Sequence, residues 1–115
     1  MWLLASDYDG TFYRNSTVCP ENLQAVARFR EAGNLFGLVT GRDIHLIQEL
    51  LQQNPIPLDF VVGNNGGAIW DRDLNPISRN ILSADALPEL LEYLAASPVI
   101  YAVLSADQGL SLIHI

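Results

Sequence analysis

The sequence predicts an α/β fold in which a parallel sheet packs against helices. Short apolar runs that end in polar residues alternate with stretches of helical spacing, and Gly or Pro lies at most boundaries between them. Half of the 115 residues are hydrophobic and 17% are charged, which suits a packed core. This length corresponds to one domain or to a piece of a larger one.

The first half of the chain alternates strands and helices. Residues 2–6, WLLAS, form a short apolar run that ends in polar residues, as expected of a buried strand. A helix is expected over 20–33, with Pro20 at its first position and Gly33 at its C-terminal cap. The next predicted elements are a strand at 35–40, a helix at 42–54 and a strand at 58–63. This order is typical of a parallel sheet.

The pattern changes after residue 68. The stretch 68–78 predicts two short strands around the turn DRDLNP, which resembles a calcium loop but has Pro76 where that loop needs Gly, so we favour a hairpin. Further predicted elements are a helix marked by Leu87, Leu90, Leu91 and Leu94, and a strand at 99–105. We therefore expect residues 1–82 to form one unit and 83–115 to begin an inserted domain. We interpret 110–115, LSLIHI, as foreign sequence, because it matches a translated sequencing-adapter end.

The composition excludes several classes of function. A net charge of −7 argues against a nucleic-acid partner or an acidic membrane surface, because phosphate groups are held by clustered Lys and Arg. Cys19 is the only cysteine, which excludes a disulfide framework and a thiolate metal site. No apolar run reaches the roughly 18–20 residues that a membrane helix needs. We expect a cytoplasmic protein.

Two carboxylates follow the first predicted strand. Asp7 and Asp9 are two residues apart, so in an extended chain both face one side, where ligands of α/β sheets bind. Two carboxylates are tolerable there if a divalent cation offsets their repulsion. Mg²⁺ suits this role, since it prefers oxygen ligands and often binds one or two carboxylates together with a substrate phosphate. One carboxylate can then act as nucleophile and the other as acid and base.

The second predicted strand supplies a phosphate cradle. It ends in Thr40-Gly41-Arg42, where the next helix is expected to start. The Thr40 hydroxyl, the Gly41 N–H and the positive end of that helix can bind a phosphate group. Arg42 would add a charge-assisted contact.

Together these stretches resemble a known family. DYDGT (7–11) and VTGR (39–42), each after an apolar strand, resemble the first two motifs of the haloacid dehalogenase (HAD) superfamily. VVGNNGGAIW (61–70) resembles the passage leading into the α/β cap of its Cof-like phosphatases. The resemblance is close over 2–82 and loose over 83–115. It implies a three-layer Rossmann-like (HAD-like) core, here truncated, followed by the start of the inserted α/β cap.

The resemblance also implies roles for individual residues. Asp7 corresponds to the nucleophile and Asp9 to the acid/base residue, and the Asp7 carboxylate and Asp9 backbone carbonyl would hold Mg²⁺. Thr40 corresponds to the phosphate-binding residue, beside Gly41. Asn65 matches the family's NG after the third strand and is expected, with Arg42, to contact substrate. The implied reaction is hydrolysis of small-molecule phosphate monoesters, such as sugar phosphates, through a phosphoaspartyl intermediate.

Two family elements lie outside this chain. They are a lysine motif and an acidic motif that follow the cap, and the sequence contains no lysine at all. The family fold also places its fourth strand beside the first, so the first strand is expected to be an unpaired edge here. We therefore expect the chain to be inactive by itself.

Other interpretations of the same residues remain. DYDG can be a polar turn, Thr40 an ordinary helix N-cap, Arg42 a surface residue, and Asn64 and Asn65 turn formers. The alternative functions are a phosphomutase or sugar-phosphate phosphatase of the same superfamily, or a non-catalytic phosphate- or metal-binding module similar to a receiver domain. A receiver would be expected to need a lysine and would not need DGT.

Overall fold

The computed structural model describes residues 1–80 and 82–98, together with the backbone of 101–106 and 109–114. The helices are α1 (Pro20–Glu31), α2 (Ile44–Gln53) and α3 (Leu87–Ala96). The strands are β1 (Leu3–Asp7), β2 (Tyr13–Arg14), β3 (Thr17–Val18), β4 (Leu35–Val39), β5 (Phe60–Gly63), β6 (Ala68–Asp71), β7 (Pro76–Arg79), β8 (Tyr101–Ala106) and β9 (Gly109–His114).

A five-stranded sheet in the order β1-β4-β5-β6-β7 organises the first 80 residues. β1 and β4 are parallel, as are β4 and β5, with α1 and α2 as the connections. The β6–β7 hairpin continues the sheet antiparallel to β5. The predicted α/β fold is therefore confirmed, with a mixed sheet because this hairpin joins the parallel strands.

The turn of the β6–β7 hairpin is the DRDLNP segment. The Asp71 carboxylate accepts hydrogen bonds from the N–H groups of Asp73 and Asn75, both at 2.9 Å, and Leu74 is left-handed with φ of 62°. The hydrogen bond from the Asn75 backbone is the main cause that lowers the pKa of Asp71. The carboxylate thus caps the turn, and the predicted hairpin is confirmed.

The observed elements differ from the predicted ones mainly at their ends. Gly33 follows α1 with φ of 85°, the left-handed conformation that favours glycine after a helix. The sequence prediction missed the β2–β3 hairpin and strand β9, which pairs antiparallel with β8. β8 begins at Tyr101, and the first two residues of the strand predicted at 99–105 lie outside the described part of the chain.

Within the residues whose burial is described, a cluster of buried hydrophobic side chains joins α1 and α2 to the sheet. α1 contributes Val26, and α2 contributes Ile47 and Leu50. The other members are Tyr8, Phe12, Val18, Phe36, Leu38, Ile56, Leu58, Val61, Ala68 and Trp70. Because Tyr8 and Phe12 belong to this core, their side chains anchor the segment that follows β1.

β1 is one edge strand of the five-stranded sheet in the described residues, and β7 is the other. Leu3 and Leu4 are 62% and 46% exposed, and Trp2 is 77% exposed. β1 pairs with β4 on one side only, so the expectation that the first strand is an unpaired edge is confirmed.

A buried carboxylate links α1 to the start of β5. Arg30 donates to Asp59 through Nε at 2.8 Å and Nη2 at 2.7 Å, and the Phe36 N–H donates to the same carboxylate at 3.0 Å. Arg72 adds a third contact at 3.2 Å. The hydrogen bonds from Arg30 are the largest cause that lowers the pKa of Asp59 to about 2. This cluster ties α1, β4 and the start of β5 together at the end of the sheet opposite to the loops that follow β1 and β4.

No helix within the described residues combines the length and apolar character needed to cross a bilayer.

Candidate phosphate and metal site

The ends of β1 and β4 bring Asp7 and Thr40 together. Asp7 pairs in register with Val39, so Thr40 follows directly beside it. The Thr40 N–H donates to the Val62 carbonyl of β5 at 2.8 Å, which fixes its backbone at the carboxyl edge of the sheet. Two residues that are 33 positions apart in the chain thereby share one edge.

A tight turn follows Asp7. The N–H groups of Phe12 and Thr11 donate to the carbonyls of Asp7 and Tyr8, at 3.3 and 3.2 Å. Gly10 has φ of 80°, a conformation that a residue with a Cβ adopts only with strain. The Thr11 hydroxyl donates to Asp7 Oδ2 at 2.9 Å. The Asp7 side chain is therefore exposed but held in one orientation by Thr11, and Oδ1 stays open to a ligand.

Tyr8 anchors the backbone between the two aspartates. Its side chain is only 1% exposed and stacks on Tyr13, with ring centroids 5.2 Å apart and planes 8° from parallel. Burial raises the pKa of Tyr8, so the phenol stays neutral. Because the ring is fixed in the core, Asp7 and Asp9 on either side of it are fixed as well.

Asp9 is bound by Arg42. Arg42 Nε donates to Asp9 Oδ2 at 3.0 Å, and Nη2 donates to Oδ1 at 2.7 Å, a bidentate pair. The guanidinium carbon lies 5.4 Å from the centre of the Tyr8 ring. The hydrogen bonds to Asp9 raise the pKa of Arg42 above its usual value. Asp9 is thus turned toward the β4–α2 loop.

The loop after β4 is hydrogen bonded to the loop after β5. The Asn65 N–H donates to the Thr40 carbonyl at 3.2 Å, and the Asn64 N–H donates to the Arg42 carbonyl at 2.9 Å. A Cβ on residue 41 would lie 2.9 Å from Oδ1 of Asn65, so Gly41 allows the two loops to meet. Thr40, Gly41, Arg42 and Asn65 are therefore brought together as predicted, at the same edge as Asp7.

The Thr40 side chain is poised to donate. Its Oγ1 accepts a hydrogen bond from the Arg42 N–H at 3.1 Å, and the residue is 6% exposed. Since the oxygen already accepts, the hydroxyl proton is available for an anion. The Gly41 N–H makes no hydrogen bond among the described residues.

The start of α2 differs from the prediction. The helix begins at Ile44 rather than at 42, and its N-cap is Asp43, which accepts from the Leu46 N–H at 3.0 Å. Asp43 is 2% exposed. Thr40 is therefore not the N-cap, and the Asp43 carboxylate already occupies the positive end of the helix. The cradle is formed by the loop before the helix, not by its first turn.

The described residues offer only some of the ligands that a candidate Mg²⁺ site would need. The Asp7 carboxylate is exposed, and the Asp9 carbonyl accepts no hydrogen bond within the described residues, so both oxygens can bind a hard cation. The Asp9 carboxylate is occupied by Arg42. Within the same residues there is no group of three or more His, Cys, Asp or Glu side chains that could hold a metal ion. The donor chemistry fits Mg²⁺, with the remaining ligands to come from water, substrate or other residues.

Sequence reasoning missed three residues that shape the site: Tyr8, Thr11 and Asp43. The signal for Asp43 was available, because an Asp just before an apolar stretch of helical spacing is a standard N-cap pattern. Nothing in the sequence indicates that Tyr8 faces the core or that Thr11 returns to Asp7. Those contacts depend on the turn at Gly10.

Comparison with known proteins supports the same family. A family model described as haloacid dehalogenase-like hydrolase matches residues 4–114. The chain belongs to this family. Of the curated HAD relatives, the 5-amino-6-(5-phospho-D-ribitylamino)uracil phosphatase YwtE of Bacillus subtilis is 32% identical over 112 residues. The match covers 96% of this chain and 38% of YwtE, so the chain spans well under half of that relative.

Solved HAD structures share the fold. A phosphatase of the superfamily from Bacteroides thetaiotaomicron aligns with a TM-score of 0.79 at 23% identity, over 96% of this chain and 40% of the other. A sugar phosphatase of HAD subclass IIB aligns with a TM-score of 0.71 at 18% identity, over 96% of this chain and 43% of the other. These alignments confirm the predicted HAD-like fold, truncated in this chain relative to those structures.

Proposed function

We propose that a full-length protein carrying this chain is a Mg²⁺-dependent, Cof-like phosphatase that hydrolyses small-molecule phosphate monoesters through a phosphoaspartyl intermediate on Asp7. The observation that carries this proposal is the position of Asp7. Its carboxylate is exposed at the carboxyl end of the parallel strands and accepts a hydrogen bond from Thr11. The buried Thr40 hydroxyl lies beside it. The proposed nucleophile therefore lies next to a hydroxyl that can donate a hydrogen bond to the phosphate group.

The proposed reaction has two steps, transfer of the phosphoryl group to Asp7 and hydrolysis of the resulting intermediate. An Asp7 oxygen attacks phosphorus, the bond from phosphorus to the ester oxygen breaks, and Asp9 gives its proton to the departing alkoxide. Water then attacks the phosphoryl group, Asp9 takes a proton from that water, and the bond to Asp7 breaks to release phosphate. Asp9 thus returns to the protonation state in which it began.

The loop residues position the phosphate. Thr40 Oγ1 and the Gly41 N–H are available donors, and Arg42 and Asn65 lie beside them to contact the substrate. Because Thr40 and Gly41 are held by the loop, their donors need no rearrangement as charge develops on the transferring group. Mg²⁺ bound by the Asp7 carboxylate and the Asp9 carbonyl would offset the negative charge of nucleophile and phosphate.

The names of related proteins narrow the substrate class. YwtE is named for a phosphoribitylamino compound, and a structural neighbour is described as a sugar phosphatase. We propose a phosphorylated sugar or polyol derivative for this protein, because both names refer to a phosphate carried on such a group.

The test is the loss of the nucleophile. In the full-length protein, Asp7→Asn should reduce Mg²⁺-dependent hydrolysis of p-nitrophenyl phosphate by at least about 1,000-fold, because an amide cannot attack phosphorus. Asp73→Asn is the matched control: it removes the same charge at the exposed β6–β7 turn and should leave activity unchanged. Normal activity of Asp7→Asn would contradict the proposal.

A further inference from the structure

Arg42 and Asp9 form an ion pair that engages the polar atoms of both side chains. Both oxygens of the Asp9 carboxylate accept from the guanidinium fork, at 3.0 and 2.7 Å. In this arrangement Asp9 has no free oxygen with which to contact a leaving group, and Nε and Nη2 of Arg42 are not free for a phosphate. In the arrangement observed, Asp9 therefore faces Arg42 rather than a leaving group, and the Nε–Nη2 fork of Arg42 is not available to a phosphate.

The surroundings of the Arg42 side chain allow it to exchange the Asp9 carboxylate for another anion. The face of the buried Tyr8 ring holds the guanidinium at 5.4 Å from its centre, independently of which anion the fork contacts. The side chains of Arg42 and Asp9 are 32% and 51% exposed, so an incoming anion can reach the pair.

The backbone of Arg42 does not need to move for this exchange. Its N–H donates to Thr40 Oγ1 and its carbonyl accepts from the Asn64 N–H, which fixes both ends of the residue beside the phosphate cradle. Only the side chain has freedom. A guanidinium fork matches a phosphate as well as a carboxylate, because both present two oxygens in a plane.

We propose that Arg42 is a latch that covers Asp9 until a phosphate group arrives, and that the phosphate then displaces Asp9 from the fork and frees it to face the leaving group. This inference rests on the proposed function and adds an order of events to it. Asp9 becomes available only in the phosphate-bound state, so Arg42 is a positioning residue for Asp9 as well as a ligand of the substrate.

A double-mutant cycle on the full-length protein tests the latch through binding rather than turnover. The dissociation constant of inorganic phosphate is measured by NMR titration at fixed MgCl₂ for the wild type, Asp9→Asn, Arg42→Gln and the double variant. Removing the negative charge of Asp9 strengthens phosphate binding whether position 42 is Arg or Gln. This contribution therefore cancels when the two backgrounds are compared. Release of the latch adds a gain only where Arg42 is present.

The expected size follows from the exposure of the pair. Exposed ion pairs are weak, so the gain in phosphate affinity from Asp9→Asn should be about two- to five-fold larger with Arg42 than with Gln at that position. Arg42→Lys keeps the charge but cannot form the fork, and should show a gain close to that of the Gln background. Asp73→Asn is the charge control, since Asp73 is exposed in the β6–β7 turn and does not contact Arg42 or Asp9, and its effect should be equal in both backgrounds.

A second readout needs no phosphate. The Arg42 Nε–H resonance should exchange slowly with water in the wild type and several-fold faster in Asp9→Asn, while amide spectra verify that both proteins are folded. Equal exchange rates would overturn the latch. The latch would also be overturned if phosphate binds but Asp9→Asn increases phosphate affinity equally with Arg42 and with Gln at position 42. If none of the four proteins binds phosphate, the proposed function itself is contradicted, and the latch with it.

Discussion

At the scale of single residues, Gly63 shows how closely the segments of the site approach each other. A Cβ at this position would lie 2.8 Å from the Arg42 carbonyl oxygen and would also overlap the Trp70 ring. We expect Gly63→Ala to lower the free energy of unfolding by roughly 1–3 kcal/mol, because a backbone atom and a buried ring must both give way. Urea denaturation measures this change.

Gly10→Ala is the comparison for that experiment. A Cβ there meets no atom within 4 Å, but φ is 80°. Its cost should be about 1–2 kcal/mol of backbone strain alone. If Gly63→Ala were neutral, the close approach of the loops would be wrong.

Asp59 makes stability depend on acid pH. Its pKa is about 2 in the folded chain, against an ordinary value of 3.8, because Arg30 and the Phe36 N–H stabilise the carboxylate. The unfolded chain therefore binds more protons in this range, and the stabilisation, present above about pH 4, is lost as pH falls toward 2. A shift of this size corresponds to about 2 kcal/mol.

Asp59→Asn should remove this part of the pH dependence. We expect wild-type stability, measured by urea denaturation between pH 5 and 2.5, to fall more steeply than that of the variant. The difference between the two curves isolates Asp59 from other carboxyls such as Asp71, whose pKa is also lowered. Parallel curves would show that the ion cluster contributes nothing to folding.

The candidate residues could be identified from the sequence, but their contacts could not. Asp7 and Thr40 stand out because each ends an apolar run, and the parallel sheet makes them neighbours. The Arg42–Asp9 pair joins positions 33 apart through side chains alone, and no local pattern encodes it. The core position of Tyr8 likewise depends on the turn at Gly10.

At the scale of elements, α2 depends on its first turn. Asp43 is 2% exposed and caps the Leu46 N–H, directly after the phosphate loop. We expect Asp43→Ala to cost about 1 kcal/mol or somewhat more, since a buried donor loses its partner. Asp43→Asn, which keeps an accepting oxygen, should cost less. Thermal unfolding followed by circular dichroism checks both, and equal stability of Asp43→Ala and wild type would contradict the cap.

Elements with strong periodicity were predicted best. α1 and α2 were placed within about two residues of their ends, because apolar spacing and flanking Pro, Gly or Asn mark them. The β2–β3 hairpin was missed because its strands have two residues each, too few for alternation to be visible. Its turn uses Asn15 and Ser16, both left-handed, with φ of 51° and 60°, and Ser is an uncommon residue in that conformation.

At the scale of the whole molecule, the exposed edge of β1 is the main liability. Its free N–H and C=O groups and the exposed Leu3 invite pairing with another strand. We expect Leu3→Lys to reduce self-association of this chain, measured as the weight-average mass in analytical ultracentrifugation across a concentration series. Tyr93→Lys, at a comparably exposed position on α3, is the matched control for added charge. An equal reduction by both variants would argue against a specific role of the β1 edge.

The central claim is that the phosphoryl group is transferred to Asp7, and chemical trapping tests it most directly. Full-length protein is quenched during turnover of a phosphate monoester and reduced with sodium borodeuteride, which converts an aspartyl phosphate into deuterated homoserine. We expect peptide mass spectrometry to find the label at position 7. Label at Asp9, or an unlabelled Asp7 in protein that is turning over, would contradict the account.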